Sequence, residues 1–488
     1  MKPRVEIYDT TLRDGAQGEG VSFSGVGKIL VAKRLDEFGV DYIEGGYAAS
    51  NPRDMAFFQA IRKERLKHAK IAAFGRTRRA NVRAEDDSGC KALIEADTPV
   101  CTIFGKSWRL HVHEVLRTTE EENRAMIADT VRFLKAHGKE VIYDAEHFFD
   151  GYKDSREHAL STLRAAHEAG ADRLVLCDTN GGTLPGQIAA VVKDVQAEFP
   201  GAKLGIHTHN DSELGVANSL AAVEAGAWHV QGTINGFGER VGNANLVSII
   251  PNLVLKLNFA CMQPGSLKQL KSVSQFVYEM ANVRPNPKQA FVGDSAFAHK
   301  AGMHVDGVRK RASSFEHIDP ESVGNQRRIL ISELSGASNV FLKAVEMGLN
   351  LEKNSPEIRQ ILRELESLEK NGYAFEAAEA SFKLLIQKIL KKHKPFFDLH
   401  GYRVIVEKRH RGESSLAEAT VKLSVNGDEE LTVGEGDGPV DALNDALRKA
   451  LTRFYPAIKD VSLVDYQVRI LDPEEGTGAK TRVLIEST

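Results

Sequence analysis

Cysteine is scarce and scattered: Cys90, Cys101, Cys177 and Cys261 are the only four, and no two form a CxxC pair. This excludes a disulfide framework or a cysteine-type zinc site as the organising feature, and makes a reducing cytoplasm the expected setting. Net charge is nearly absent too, with 64 Lys and Arg against 67 Asp and Glu. No global basic field exists to attract nucleic acid, so no nucleic-acid partner is expected. No apolar run approaches the ~20 residues that span a bilayer. The opening MKPRVEIYDTTLRDGAQ lacks the apolar core of a secretory signal, so no membrane partner is expected either. Internal repeats and low-complexity tracts are also missing. What is present is an ordinary globular composition, 42% hydrophobic and 27% charged. Its 488 residues suffice for two to four domains at ~100–200 residues each.

The first ~260 residues alternate short apolar runs with amphipathic segments, the rhythm of a parallel α/β fold. Eight runs read as strands: VEIYD, DYIEG, KIAAFG, PVCTIFG, EVIYDAE, RLVLCD, KLGIHTH and WHVQGTI. Helix-like segments follow most of them, the weakest being NVRAEDDSGCKALIEA in the third unit. Eight such units fit a (β/α)8 TIM barrel better than a doubly wound sheet. The expected division is a barrel over 1–270, a mostly helical subdomain over 271–392, and a small α+β domain over 393–488. In the last, YRVIVEKR, EATVKLSV, YQVRILD and TRVLIEST read as strands and DGPVDALNDALRKALTRF as a helix. GEGDGP reads as a turn before that helix. The chain stops inside an apparent strand, which suggests a truncated C-terminal domain.

Barrel chemistry gathers at the C-terminal ends of the strands. Here those ends carry Asp9 to Gly15, Glu44, Asp144 and Glu146, Asp178 to Asn180, and His207 to Asp211. His207 and His209 stand two apart on one strand and so point to one side, where both imidazoles can meet a single ion. Taken alone, HxH is more often two surface or capping histidines than a metal pair. At a barrel strand end, across from Arg13 and Asp14, it reads as a metal pair. Asp14 can add a carboxylate and Asn243 an amide oxygen. This hard-to-intermediate set suits Mg, Mn, Zn, Co or Fe(II) and leaves positions open for substrate. Glu146 reads equally as a barrel ion pair or a catalytic acid. GFGERVG has the wrong spacing for a dinucleotide loop. His299 and His304 lie beyond the barrel and are a weak hint of further acid–base groups.

DTTLRDGAQ, IHTHND and GFGERVGNANL together resemble the DRE-TIM metallolyase superfamily, and within it the Claisen-condensing synthases that make 2-isopropylmalate, homocitrate and citramalate. VIYDAEHFFDGYKDS, LCDTNGGTLP, TIFGKSW and AFAHKAGMHVDGV are similar to the citramalate branch, and the resemblance covers essentially the whole chain. It implies condensation of acetyl-CoA with pyruvate, a divalent metal held by Asp14, His207, His209 and Asn243, and oxyanion stabilisation by Arg13. It also implies that Arg13, Tyr143 and Thr179 bind the 2-oxo acid, that Glu146 and His304 move protons, and that Gln17 and Glu44 brace the ligands and Arg13 from behind. Tyr143 and Phe104 are expected to close the pocket against larger 2-oxo acids. The resemblance further implies a homodimer in which His304 reaches the partner's site, and an α+β regulatory domain with isoleucine as feedback effector. Two other readings stay open within the superfamily, a 2-isopropylmalate synthase and an acyl-CoA lyase. A non-catalytic amino-acid-binding relic is the third.

Overall fold

Strand β1 (Glu6–Asp9) pairs with β2 (Tyr42–Tyr47) on one side and β8 (His229–Gly232) on the other. Between them run β3 (Lys70–Arg76), β4 (Val100–Lys106), β5 (Glu140–Glu146), β6 (Arg173–Asp178) and β7 (Leu204–Thr208), closing an eight-stranded parallel barrel. This architecture comes from a computed structural model. It describes residues 3–49, 52–300, 302–330, 355–373, 378–408 and 415–488, together with 340, 341, 344, 345, 351, 352 and 375. Among the described residues no helix is long and apolar enough to cross a membrane. The weak third unit is a helix of only eight residues, Ser88–Glu95, started by the Asp87 carboxylate on the amides of Gly89 and Cys90.

Strand alternation sorts the barrel into two shells. Tyr8, Tyr42, Ala72, Val100, Ile142, Val175 and Cys177 fill the interior. The opposite parity, including Ile103, Tyr143, Leu174, Leu176 and Ile206, packs outward against the helices. The N-terminal end is closed by ions. Arg173 donates to both oxygens of Glu6 at 2.6 and 2.7 Å and to Glu140 at 2.6 Å, and the Tyr42 hydroxyl donates to Glu140 at 2.8 Å. In this fold that end serves stability, and the opposite end is free for chemistry. The helix Leu270–Met280 buries Leu270, Val273 and Val277 in the barrel's core cluster.

By packing the chain forms two units: Met1–Ala298 with Ala312–Arg328, and His299–Arg311 with Ile329–Thr488. The second unit contains the helix Pro356–Lys370, whose Ile358, Ile361 and Leu365 meet Phe382 and Ile386 of the helix Glu379–Ile389. It also contains an antiparallel sheet, Asp398–Glu407, Leu416–Val425 and Asp428–Gly436, covered by the helix Pro439–Thr452. A hairpin follows, Leu463–Ile470 with Thr481–Ser487. The edge strand of the sheet, Asp428–Gly436, has no counterpart in the strands read from sequence. Its glycines explain its form: a Cβ at Gly434 would stand 2.3 Å from the Ala446 nitrogen, so glycine lets the helix lie on the strand. On that helix Ala442, Ala446, Ala450 and Leu451 form the buried ridge, with Leu443, Leu447 and Phe454 packed against it, whereas Val440 is half exposed. Val440, Leu443 and Leu447 also line a cavity of about 740 Å³ with Leu399, Tyr402 and Tyr466.

Candidate active site

The turn after β1 is built by Asp9, whose carboxylate accepts from the Thr11 amide at 3.0 Å and the Thr11 hydroxyl at 2.8 Å. That turn delivers Arg13 and Asp14 to the barrel mouth. The Arg13 Nε donates to Glu44 at 2.5 Å, and its guanidinium lies 3.7 Å over the Phe74 ring. Phe104 stacks on the other part of this wall, its ring 5.4 Å from that of Phe74. Glu44 is fully buried and also accepts from the Thr10 hydroxyl and, at 2.7 Å, from Tyr8. Glu44 thus lies directly against Arg13 as a hydrogen-bonded partner of its Nε.

His207 and His209 face each other at the end of β7 with their Nε2 atoms 3.2 Å apart. Asp14 Oδ2 lies 3.4 Å from the first and 4.0 Å from the second. One donor atom from each of these three buried residues lies within 4.8 Å of the others, a grouping able to hold a metal ion. Asn243, bridged to His209 through the backbone, donates its amide to Asp14 at 2.8 Å. Its Oδ1 is buried without a protein partner among the described residues. Gly238 makes room for that oxygen, since a Cβ there would come within 2.1 Å of it. An orphaned amide oxygen beside a carboxylate and two imidazole nitrogens fits a divalent cation. Burial would raise the Asp14 carboxyl, but Arg13 and the two imidazoles outweigh it and hold it well below the usual carboxylate range. Burial and the neighbouring His207 push His209 down to about 3. For His207, burial is outweighed by Asp14, and its value is raised.

Glu146 ends β5 in a close ion pair with Lys106 at the end of β4. Thr179 accepts from the His147 amide at 3.0 Å, and its backbone carbonyl is held by Arg240, which also grips Asp211 at 2.7 and 2.9 Å. Two expectations are corrected here. Tyr143 is buried in the outer shell against Gly105 and Ile127, because Asp144 and Glu146 take the inward parity of β5. It therefore lines no pocket at the mouth. Gln17 is exposed on the wall of a groove of about 960 Å³, with Arg13, Tyr47 and Phe57, rather than packed behind the ligands. His304 is exposed on the helix Gly302–Lys310 of the second unit. The sequence reading missed Lys106, although a charged residue closing TIFGK carries the same strand-end signal as Glu44. It also missed Gln231, whose position in WHVQGTI carries no such signal.

Residues 4–277 match the HMGL-like family model, which defines the barrel's class. Residues 291–372 match the homocitrate synthase post-HMGL domain-like model, and 376–488 the LeuA allosteric (dimerisation) domain. A Geobacter sulfurreducens protein named (R)-citramalate synthase is 54% identical over 99% of this chain and 91% of its own length. One of the same name from Aquifex aeolicus is 54% identical over 100% of this chain and 92% of its own. The chain belongs to the (R)-citramalate synthase family. Among solved structures, the HMG-CoA lyase of Bacillus subtilis matches the fold at TM-score 0.50 and 20% identity, over 58% of this chain and 95% of that one.

Proposed function

We propose that this chain condenses acetyl-CoA with pyruvate and hydrolyses the product thioester, releasing (R)-citramalate and CoA. The observation that carries this reading is the full-length likeness to (R)-citramalate synthases, joined to a barrel mouth where Asp14, His207 and His209 are grouped so that they could hold a cation. Asp14, His207, His209 and Asn243 would hold Mg, Mn, Zn, Co or Fe(II), which when bound supplies Lewis acidity toward a 2-oxo acid.

The chain's own residues account for the proton and charge movements. Glu146 takes a proton from the acetyl methyl group, with the Lys106 ammonium beside it to balance the carboxylate's charge. The methyl carbon then bonds to the keto carbon of pyruvate, and the keto oxygen receives the electron pair and takes up a proton, equivalent to the one Glu146 removed, to become the tertiary hydroxyl. Arg13, fixed by Glu44 and Phe74, faces that developing negative charge. The Thr179 oxygen already accepts a hydrogen bond, so its own proton is available for the pyruvate carboxylate. Water next adds to the thioester carbonyl, the C–S bond breaks, and CoA leaves as the thiol. The partner subunit's His304 shares in proton transfer in a homodimer, and the dimerisation-domain match supports that assembly. Isoleucine is the feedback effector of the C-terminal domain. The four unpaired, buried cysteines suit a cytoplasmic setting.

A panel of 2-oxo acids scored for CoA release tests this reading. Each extra methyl group is worth ~1–3 kcal/mol of discrimination in a closed apolar pocket. Pyruvate should therefore exceed 2-oxoisovalerate clearly in kcat/KM. Equal values would move the enzyme to the 2-isopropylmalate branch, and no acetyl-CoA-dependent thiol release with any 2-oxo acid would overturn synthase activity.

A further inference from the structure

Two buried residues beneath the mouth have no part in the chemistry above. Gln231 on β8 is paired in register with His207 on β7. Its Oε1 lies 2.9 Å from His207 Nδ1, and its Nε2 donates to Asp144 Oδ1 at 2.9 Å. Both residues are closed off from solvent. An amide has a donor end and an acceptor end, so the way it faces dictates what each neighbour must present. Asp144 receives the NH₂ end. The oxygen end therefore meets the imidazole, where only a protonated Nδ1 can answer it. His207 Nε2 is then left with its lone pair, 3.4 Å from Asp14 and 3.2 Å from His209 Nε2. His209 offers a contrast: its Nδ1 is buried without a partner among the described residues, so no equivalent group sets its tautomer.

We propose that Asp144 and Gln231 form a positioning relay that locks His207 in the Nδ1–H tautomer and so turns its Nε2 lone pair toward the divalent cation. This rests on the reading of the mouth as a cation site. Neither residue touches substrate. Turning the amide around would set its NH₂ against an N–H on one side and its carbonyl against a carboxylate on the other. The acid thus gives the glutamine its direction, and the glutamine gives the histidine its tautomer.

The test is Mn²⁺ titration of the full chain, followed by the electron paramagnetic resonance of the free ion, with thermal unfolding recorded for each variant. The wild type should bind Mn²⁺, and Asp14→Ala should lose it. Gln231→Met keeps the bulk but removes both hydrogen-bonding ends, and Asp144→Asn lets the amide turn. Each should weaken Mn²⁺ binding by ~10–100-fold. The decisive variant combines Asp144→Asn with Gln231→Glu. The carboxylate then sits beside the imidazole and the amide behind it, and the carboxylate accepts from both neighbours. Hydrogen-bond direction at His207 is restored, so affinity should recover toward wild type. A role in packing alone predicts no such rescue. Wild-type affinity in both single variants, or a folded double variant no better than the singles, would overturn the relay. A wild type that binds no Mn²⁺, or an Asp14→Ala variant that binds it equally well, would instead overturn the cation site itself.

Discussion

Replacing Glu44 with glutamine removes one charge from a fully buried position that supports Arg13. The substitution can be accommodated. The amide oxygen can keep accepting from Thr10 and Arg13, while the NH₂ faces Tyr8, whose hydroxyl can turn to donate to Thr102 at 2.7 Å. What disappears is charge assistance, so a loss of ~1.5–3 kcal/mol in unfolding free energy is expected. Glu44→Ala goes further. It leaves the guanidinium and the Thr10 hydroxyl without their acceptor, at ~3–5 kcal/mol for a broken buried pair. In both variants Arg13 retains Asp14, 3.3 Å away, and the Phe74 face, but neither fixes the angle that the Glu44 bond sets. A misplaced group of this kind costs ~10²-fold in rate. If Arg13 meets charge that develops only during bond formation, the loss falls on kcat more than on KM for pyruvate. The assay is CoA release under saturating acetyl-CoA, alongside urea unfolding. A Glu44→Gln enzyme with wild-type kcat, whatever its stability, would refute the coupling of Glu44 to catalysis through Arg13.

Asp14→Ala and His209→Ala should each abolish turnover with the fold retained, because an open site cannot replace a missing ligand; near-wild-type activity in either would remove that residue from the ligand set. Mixing Asp14→Ala with His304→Ala subunits should partly restore activity if the partner subunit's His304 completes the mouth, and no recovery after demonstrated subunit exchange would count against a shared site. At the other end of the barrel, Arg173→Met should cost up to ~3 kcal/mol near neutral pH by taking the guanidinium from the Glu6 carboxylate, while Glu140 keeps Lys70 and the Tyr42 hydroxyl. Burial raises both carboxyls, but the Arg173 and His229 contacts at Glu6 and the Lys70, Tyr42 and Arg173 contacts at Glu140 outweigh it and lower both. Their stabilisation is thus present above the ordinary glutamate value and lost as pH falls below it. The gap between wild type and variant in urea unfolding should narrow between pH 7 and pH 3, and a gap independent of pH would exclude this network as its source.

The barrel was legible because its strand–helix rhythm is written in hydrophobicity, and the Asp14, His207 and His209 cluster because its residue types advertise chemistry at strand ends. Asp428–Gly436 was not, since its acids and glycines read as a turn and only the helix lying on Gly434 explains them. Gln17 failed for a related reason: adjacency to ligands in sequence does not say which wall of the mouth a loop residue lines. Gln231 was invisible because a glutamine gains meaning only from what stands beside it. Tyr143 failed through parity, and parity could have corrected it. In this barrel inward residues pair with inward residues. His207 lies opposite both Cys177 and Gln231, Gln231 opposite Tyr8, Tyr8 opposite Tyr42, and Phe104 opposite Asp144, whereas Tyr143 lies opposite Ile103 and Leu174. Two histidines whose rings meet at the mouth fix the inward parity of one strand, and period-two alternation carries that choice along it. Register then passes the choice to each neighbour. Asp144 and Glu146 must share a side on β5, so a catalytic Glu146 and a pocket-lining Tyr143 were incompatible assignments from the outset.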